Sequence, residues 1–368
     1  MLIPLSKPSL GRAEIRNCRR ALRSNWISSD GPFSLEFERR FAEYLGTTHA
    51  LSVSNGTTAV HLALAAINVG EGDEVIVPSF GFVAFANAVL YLGATPVFVD
   101  VSINTWCSPL SVIAAAVTDK TKAVIAVHNY GLVDDLEQLS QFCKDQQIFL
   151  IEDAAEALGG SLNNRMLGTF GDIGTFSFYG NKVMTSGEGG AVVTDDVQLA
   201  NRMRHLRGQA MNPNRRYFFD EVGYNYRLSN VSNSILLAQL DKLPNFLRDR
   251  ARAFQTYSDL LAGLGQLQLP TKVPNSVQAP WLFTVLVGPK RDLIAEKLAK
   301  NGIETRPTFY PITELPAFNS YKSESNPNTN VISRYGLSLP TFADIKEKEI
   351  AFVCNSLSGI LDDVSSTP

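Results

Sequence analysis

Cysteine is scarce in this sequence: Cys18, Cys107, Cys143 and Cys354 stand far apart in 368 residues, and no two form a Cys-x-x-Cys pair. A disulfide framework and a zinc ribbon are thereby excluded, and the thiols read as reduced groups of a cytoplasmic protein. Histidine is as rare: His49, His61, His128 and His205 share no metal-ligand spacing, so no metal site is expected. His61 lies within an apolar helical stretch and reads as a core residue. Charge of neither sign dominates. With 33 basic and 36 acidic residues the net charge is -3, which supplies no bulk attraction to nucleic acid or to a membrane surface. Long hydrophobic runs are missing too. The longest apolar stretch, residues 82–92, is too short to span a bilayer, and MLIPLSKPSLGRAEIRNCRR has no signal-peptide core. There is neither a Gly-x-Ser-x-Gly elbow nor a P-loop. Any bound anion must therefore be held by a local site.

What is present is the rhythm of an α/β protein. Short β-rich runs recur at residues 74–77 (EVIV), 95–100 (TPVFVD), 123–128 (AVIAVH), 148–153 (IFLIED), 175–178 (TFSF) and 191–194 (AVVT). Several are almost wholly apolar, as strands buried on both faces must be. Helical patterns separate many of them, at 82–92, 108–117 and 134–146. The expectation is a mostly parallel central sheet with helices on both faces. Residues 54–68 read as a helix capped by Ser54 or Asn55. A long helix is expected over 241–264, then a Pro-, Gln- and Asn-rich segment at 269–280. Strands near 281–287 and 303–308 and helices at 291–301 and 345–361 suggest a smaller α+β unit. The expected division is 1–245 for a large domain and 246–368 for a small C-terminal one.

Two residues carry the chemistry. Asp153 ends an apolar strand, the position where open α/β sheets bind ligands. It serves either as a helix N-cap or as the partner of a protonated ring nitrogen, whose proton its charge would hold. Lys182 follows TFSF within SFYGNKVMTSGEGGAVV. It is either an exposed loop lysine or a buried one, and a desolvated lysine is a free amine that attacks a carbonyl. Around them stand possible supports. Gly56, Thr57 and Thr58 open a helix whose free N–H groups and dipole would favour a phosphate, and Ser177 could add a hydroxyl. Phe82 is either a stacking platform for a flat ring or core packing. Glu156, three residues after Asp153, either braces that ring or is a solvated helix residue.

Taken in order, SNGTTAVHLAL, GDEVIVPSFGFVA, GATPVFVDV, IEDAAEALGG, GTFGDIGTFSFYGNKVMTSGEGGAVVT, GYNYRLSN and ETRPTFYP resemble the DegT/DnrJ/EryC1/StrS sugar aminotransferases, from about Ile3 to the final helix. The resemblance implies a fold-type I architecture using pyridoxal phosphate, and a homodimer with shared active sites. Lys182 then becomes the lysine that holds the cofactor as an imine, and Asp153 the partner of its ring nitrogen. Phe82 stacks on the ring, Glu156 lies against it, and Gly56, Thr57, Thr58 and Ser177 meet the phosphate. Asn225, in GYNYR, reaches the phosphate of the other subunit. L-Glutamate is the implied donor, leaving the cofactor as pyridoxamine phosphate.

IPLSKPSL, NWISSDGPF, GEGDEVIVP and ETRPTFYP resemble the subgroup that aminates GDP-4-keto-6-deoxymannose for surface polysaccharide. Other 3-keto or 4-keto sugars on dTDP or UDP stay open, because two positions depart from that subgroup. Leu132-Val133 stands where it has His-Pro, and Thr313 where it has His, both in loops expected to touch sugar or nucleotide. Trp26, Ser28, Ser29, Arg306 and Tyr310 are the candidates for the nucleotide. Trp26 reads rather as core, and Arg306 either meets a diphosphate or forms a surface ion pair. Two rivals differ in kind. A sugar dehydratase of this fold would carry His at position 182, and a non-catalytic cofactor-binding regulator could keep the cofactor residues yet lose the sugar cradle.

Overall fold

The computed structural model describes residues 2–321 and 325–365. In chain order the strands begin with β1 (His49–Val53), β2 (Glu74–Pro78), β3 (Thr95–Val99), β4 (Thr121–Val127) and β5 (Phe149–Asp153). The short β6 (Ser161–Leu162) and β7 (Arg165–Met166) follow, then β8 (Ile173–Ser177) and β9 (Gly190–Thr194). The C-terminal part adds β10 (Ser276–Val277), β11 (Phe283–Leu286), β12 (Arg306–Pro307) and β13 (Gly336–Leu339).

Seven strands form the central sheet in the order β1-β9-β8-β5-β4-β2-β3. Strands β3, β2, β4, β5 and β8 are parallel, and β9 runs antiparallel to both β8 and β1. The mostly parallel sheet expected from the apolar runs is therefore present. The β1 strand was not marked by any such run, because its segment HALSV is short and begins on a histidine.

Alternate residues of each strand feed different cores, as the period of two requires. Val124, Leu150, Ala191 and Val193 join one apolar cluster, while Ala123, Ile125, Ile151 and Val192 join another. In the second lies the helix Gly56–Ala66, buried from Ala59 to Ala66. A helix apolar on every side is stable only when enclosed, here by β8, β9 and the helices Ala84–Tyr91 and Val197–Arg207. The first cluster includes an aromatic group in which Phe41 meets Phe176 and Phe178 edge to face at 5.2 and 5.5 Å. Each such buried ring stabilises the fold by about 2 kcal/mol through lost water contact alone.

A third cluster, with Tyr257, Phe283, Val285, Leu337, Leu339, Val353 and Leu357, organises the C-terminal part around the antiparallel sheet β11-β13-β12. Helices Arg291–Lys300 and Glu347–Ser365 cover it. The long helix is longer than the pattern suggested, spanning Asn230–Leu261 with Pro244 inside it. Residue 245, where a boundary was expected, lies within this helix. The chain thus moves from one apolar cluster to the next along a rod. Ile3 pairs with Ile303, so the first residues pack with the C-terminal part.

Candidate active site

Segments leaving the carboxyl ends of β1, β2, β4, β5 and β8 converge on a cavity of about 500 Å³. Gly56, Thr57, Phe82, Asp153, Glu156, Ser177, Lys182 and Arg306 all line it. Eight residues singled out in sequence, spread from position 56 to 306, are thereby brought to one place.

Asp153 is buried at the last position of β5, and its Oδ1 accepts from Ala155 N–H at 3.0 Å. No helix begins there: residues 154–160 are turn and irregular chain. The N-cap reading of Asp153 is therefore wrong. Burial raises its carboxyl above the ordinary range, and the Ala155 N–H, Lys182 and His128 pull against that rise.

The same turn places Glu156. It is 7% exposed, its Oε2 accepts from Tyr130 N–H at 2.8 Å, and its Oε1 stands 3.7 Å from Lys182 Nζ. A solvated helix glutamate is thus excluded. Burial pushes this carboxyl up to about 7, against the pull of Lys182 and of the Tyr130 N–H.

Lys182 follows β8 in a turn closed by its own N–H to Tyr179 O at 2.9 Å. Its Nζ has Glu156 on one side and the face of Trp281, 4.0 Å to the ring centroid, on another. It is no surface lysine. Burial lowers its pKa, and Glu156 and Asp153 oppose that shift. The outcome is an amine closer to its reactive neutral form than a solvated lysine would be.

The other end of the cavity is built for an anion. Asn55 caps the helix Gly56–Ala66, its Oδ1 accepting from Thr58 N–H at 2.9 Å, so Asn55 rather than Ser54 is the cap. The first N–H groups of that helix, at Gly56 and Thr57, have no partner within it. A Cβ on Gly56 would lie 2.9 Å from Ser177 Cβ and 3.3 Å from its Oγ, so only glycine leaves the space beside that hydroxyl open. Phosphate fits these N–H groups, the dipole and the hydroxyl. Phe82 is 58% exposed at the cavity rim and 6.0 Å from Phe309, which core packing would not allow. An anion cradle, an exposed aromatic face, a buried carboxylate and a desolvated amine in one cavity match what pyridoxal phosphate presents: phosphate, flat ring, basic ring nitrogen and aldehyde.

Other candidates lie elsewhere. Thr58 Oγ1 is occupied by the cap, accepting from Asn55 N–H at 3.1 Å and donating to Asn55 O at 2.8 Å, and it does not line the cavity. Asn225 is exposed on a segment bridged to Gly208. Trp26 is 49% exposed, its Nε1 donating to Ser29 O at 3.1 Å, so the core reading of Trp26 is wrong. Neither Trp26, Ser28, Ser29 nor Tyr310 lines the cavity. Arg306 does, and it forms no ion pair among the described residues, which removes the surface-pair reading. Leu132, Val133 and Thr313 are buried and do not line this cavity. His61 is buried with Nδ1 3.1 Å from Tyr226 Oη, a core residue as expected.

Sequence reasoning passed over Asn129, Asn181, Trp281 and Phe309, which also line the cavity. Trp281 had no local sign beyond opening a strand run.

The chain matches the DegT/DnrJ/EryC1/StrS aminotransferase family over residues 8–358. It is 40% identical to a GDP-perosamine synthase of Escherichia coli O157:H7, covering 98% of this chain and 99% of that protein. It is also 40% identical to a GDP-perosamine synthase of Caulobacter vibrioides, covering 98% of each. The aminotransferase TlmJ from Streptoalloteichus hindustanus superposes with a TM-score of 0.95 at 30% identity, covering 99% of this chain and 100% of that one. With whole-chain matches in sequence and in fold, the chain belongs to the DegT/DnrJ/EryC1/StrS family and is a pyridoxal-phosphate-dependent aminotransferase.

Proposed function

We propose that this chain moves an amino group from L-glutamate to the keto carbon of GDP-4-keto-6-deoxymannose, giving GDP-perosamine, and that it does so in the cytoplasm as a homodimer. The observation that carries the chemistry is the convergence of Lys182, Glu156, Asp153 and the Gly56–Thr57 anion cradle on one cavity. The substrate rests on the full-length likeness to two GDP-perosamine synthases. It is helped by the burial of Leu132, Val133 and Thr313, which takes the departing positions away from the cavity.

Bound in this cavity, pyridoxal phosphate supplies an aldehyde and an electron sink. Lys182 supplies the amine that binds the aldehyde carbon. When not joined to the cofactor, the Lys182 amine would hold and move the proton that amino transfer requires at the donor Cα. Asp153 keeps a proton on the ring nitrogen, which a carboxylate in a dry site does strongly. Glu156, anchored by the Tyr130 N–H, keeps one oxygen toward Lys182. Gly56, Thr57 and Ser177 hold the phosphate, and Phe82 covers the ring. Arg306, which has no ion-pair partner among the described residues, takes an anionic part of the substrate. The second copy of the chain brings Asn225 to the phosphate of the first.

The test is direct. Purified chain with pyridoxal phosphate, glutamate and GDP-4-keto-6-deoxymannose should form 2-oxoglutarate and a GDP-linked amino sugar with ping-pong kinetics. Faster turnover of a dTDP- or UDP-linked keto sugar would overturn the substrate assignment. Absence of any glutamate half-reaction would overturn the enzymatic reading and favour a sensor.

A further inference from the structure

Trp281 belongs to none of the motifs that mark the site, yet several contacts hold its ring beside Lys182. Its backbone N–H donates to Ala279 O at 2.9 Å. Its backbone carbonyl accepts from Arg250 Nη1 at 2.8 Å. Its indole Nε1–H donates to Asn181 O at 3.0 Å, the residue next to Lys182. Tyr130 stacks on it with centroids 5.6 Å apart and planes 30° from parallel. Backbone, edge and one neighbouring ring thus fix the indole before any ligand arrives. Lys182 Nζ sits 4.0 Å from the ring centroid.

We infer that Trp281 is a positioning residue: its indole face receives the Lys182 ammonium whenever that lysine is not joined to the cofactor, and so sets when the amine is free to react. The inference rests on Lys182 being the cofactor's lysine. An aromatic face attracts a cation and is indifferent to the neutral amine, so it favours the charged form. Burial does the reverse. The other charges facing Lys182 are Glu156 and Asp153, which favour the charged form, and Arg306, which disfavours it. Glu188 lines the same cavity, and Lys7 and Arg250 line the small void behind Lys182. Of these groups, the indole alone acts without charge and without a titration of its own. It therefore offsets desolvation evenly across pH, whereas Glu156 fades as a partner once it binds a proton.

The readout is the rate at which the full chain, freed of cofactor, captures added pyridoxal phosphate, followed as a function of pH by visible absorbance. In that step the Lys182 nitrogen bonds to the aldehyde carbon and one water leaves, so the rate follows the neutral amine. With the indole face removed in Trp281→Leu, the ammonium is less favoured. The rising limb should then move down by about 0.5 to 1.5 pH units. Trp281→Phe keeps a face while losing the bond to Asn181, and its profile should lie nearer the wild type. Should the leucine variant fail to fold, fluorinated tryptophans placed at position 281 preserve shape and N–H while weakening the face. The limb should then move down stepwise with fluorine count. Equal shifts in the leucine and phenylalanine variants would overturn the inference, because they would trace to the Asn181 bond or to packing. So would an unmoved limb in the fluorinated series. If the wild-type chain captures no cofactor at all, the assignment of Lys182 itself fails, and this inference with it.

Discussion

The backbone N–H of Tyr130 donates to Oε2 of Glu156 at 2.8 Å, from a residue held at φ 54°, in the left-handed region. A bulky side chain tolerates that conformation only when its surroundings over-determine it. Trp106, Trp281 and Phe309 enclose the Tyr130 ring, with centroids 5.5 to 5.6 Å away. The strained residue aims its N–H at the Glu156 carboxylate. One Glu156 oxygen is anchored, and the other faces the amine at 3.7 Å.

Glu156→Gln should change how stability depends on pH. The folded carboxyl sits at about 7 against an ordinary 4.5. A raised carboxyl favours the fold below its unfolded value, and that advantage is lost as pH climbs through the folded value. In the wild type, stability should therefore fall between about pH 4.5 and 7, by up to about 3 kcal/mol from this group. The glutamine variant lacks the titration. The difference, variant minus wild type, should rise across that window in chemical denaturation curves; a flat difference would contradict the assignment.

Lys182→Ala should abolish covalent attachment of the cofactor and lower amino transfer by at least about 1,000-fold, since under the proposed function it removes both nucleophile and proton carrier. The fold should survive, because a desolvated amine leaves the core. Visible absorbance with added pyridoxal phosphate and a glutamate half-reaction measure both effects.

Gly56→Ala places a methyl 2.9 Å from Ser177 Cβ, at the mouth of the anion cradle. Overpacking at such a point costs about 1–3 kcal/mol. Cofactor affinity should weaken about 10-fold or more, because the methyl takes the space beside the Ser177 hydroxyl and costs a charge-assisted phosphate hydrogen bond of about 1.5–3 kcal/mol, read by equilibrium titration, while helix content in circular dichroism stays unchanged.

Arg306→Gln removes a cation that has no ion-pair partner among the described residues. Melting temperature should hardly move, as for surface changes within about 0.5 kcal/mol. KM for the nucleotide sugar should rise about 10-fold or more, as expected on losing a charge-assisted hydrogen bond of about 1.5–3 kcal/mol. An unchanged KM with every anionic substrate would remove Arg306 from the site.

Local chemistry made several elements readable from the chain. The apolar runs at β2 through β5 report strands enclosed on both faces, and Asn55 caps its helix through atoms three residues away. Asp153 and Lys182 stood out because they sit at or just past strand ends, where α/β sheets expose reactive side chains, but each kept two readings until the family resemblance grouped them with Glu156. Choices between two roles were not legible. Phe82 and Trp26 are both aromatic residues in loops, and only packing decided that one faces the cavity and neither is core. Thr58 looks like a phosphate ligand until the cap is seen to occupy its hydroxyl. The short β6 and β7 escaped notice because two-residue strands have no periodicity to detect.

Residue order alone settled the layered α/β class and placed Asp153 at a strand end and Lys182 just beyond one, since each depends on neighbours within a few positions. Tertiary structure decided what stands around that lysine. Trp281 reaches it from 99 positions along the chain, and Tyr130 anchors Glu156 across 26, by contacts that exist only once the sheet and the C-terminal part have closed. The same closure excludes water from the amine and its carboxylates, and that loss of water lowers the pKa of Lys182 and raises those of Asp153 and Glu156.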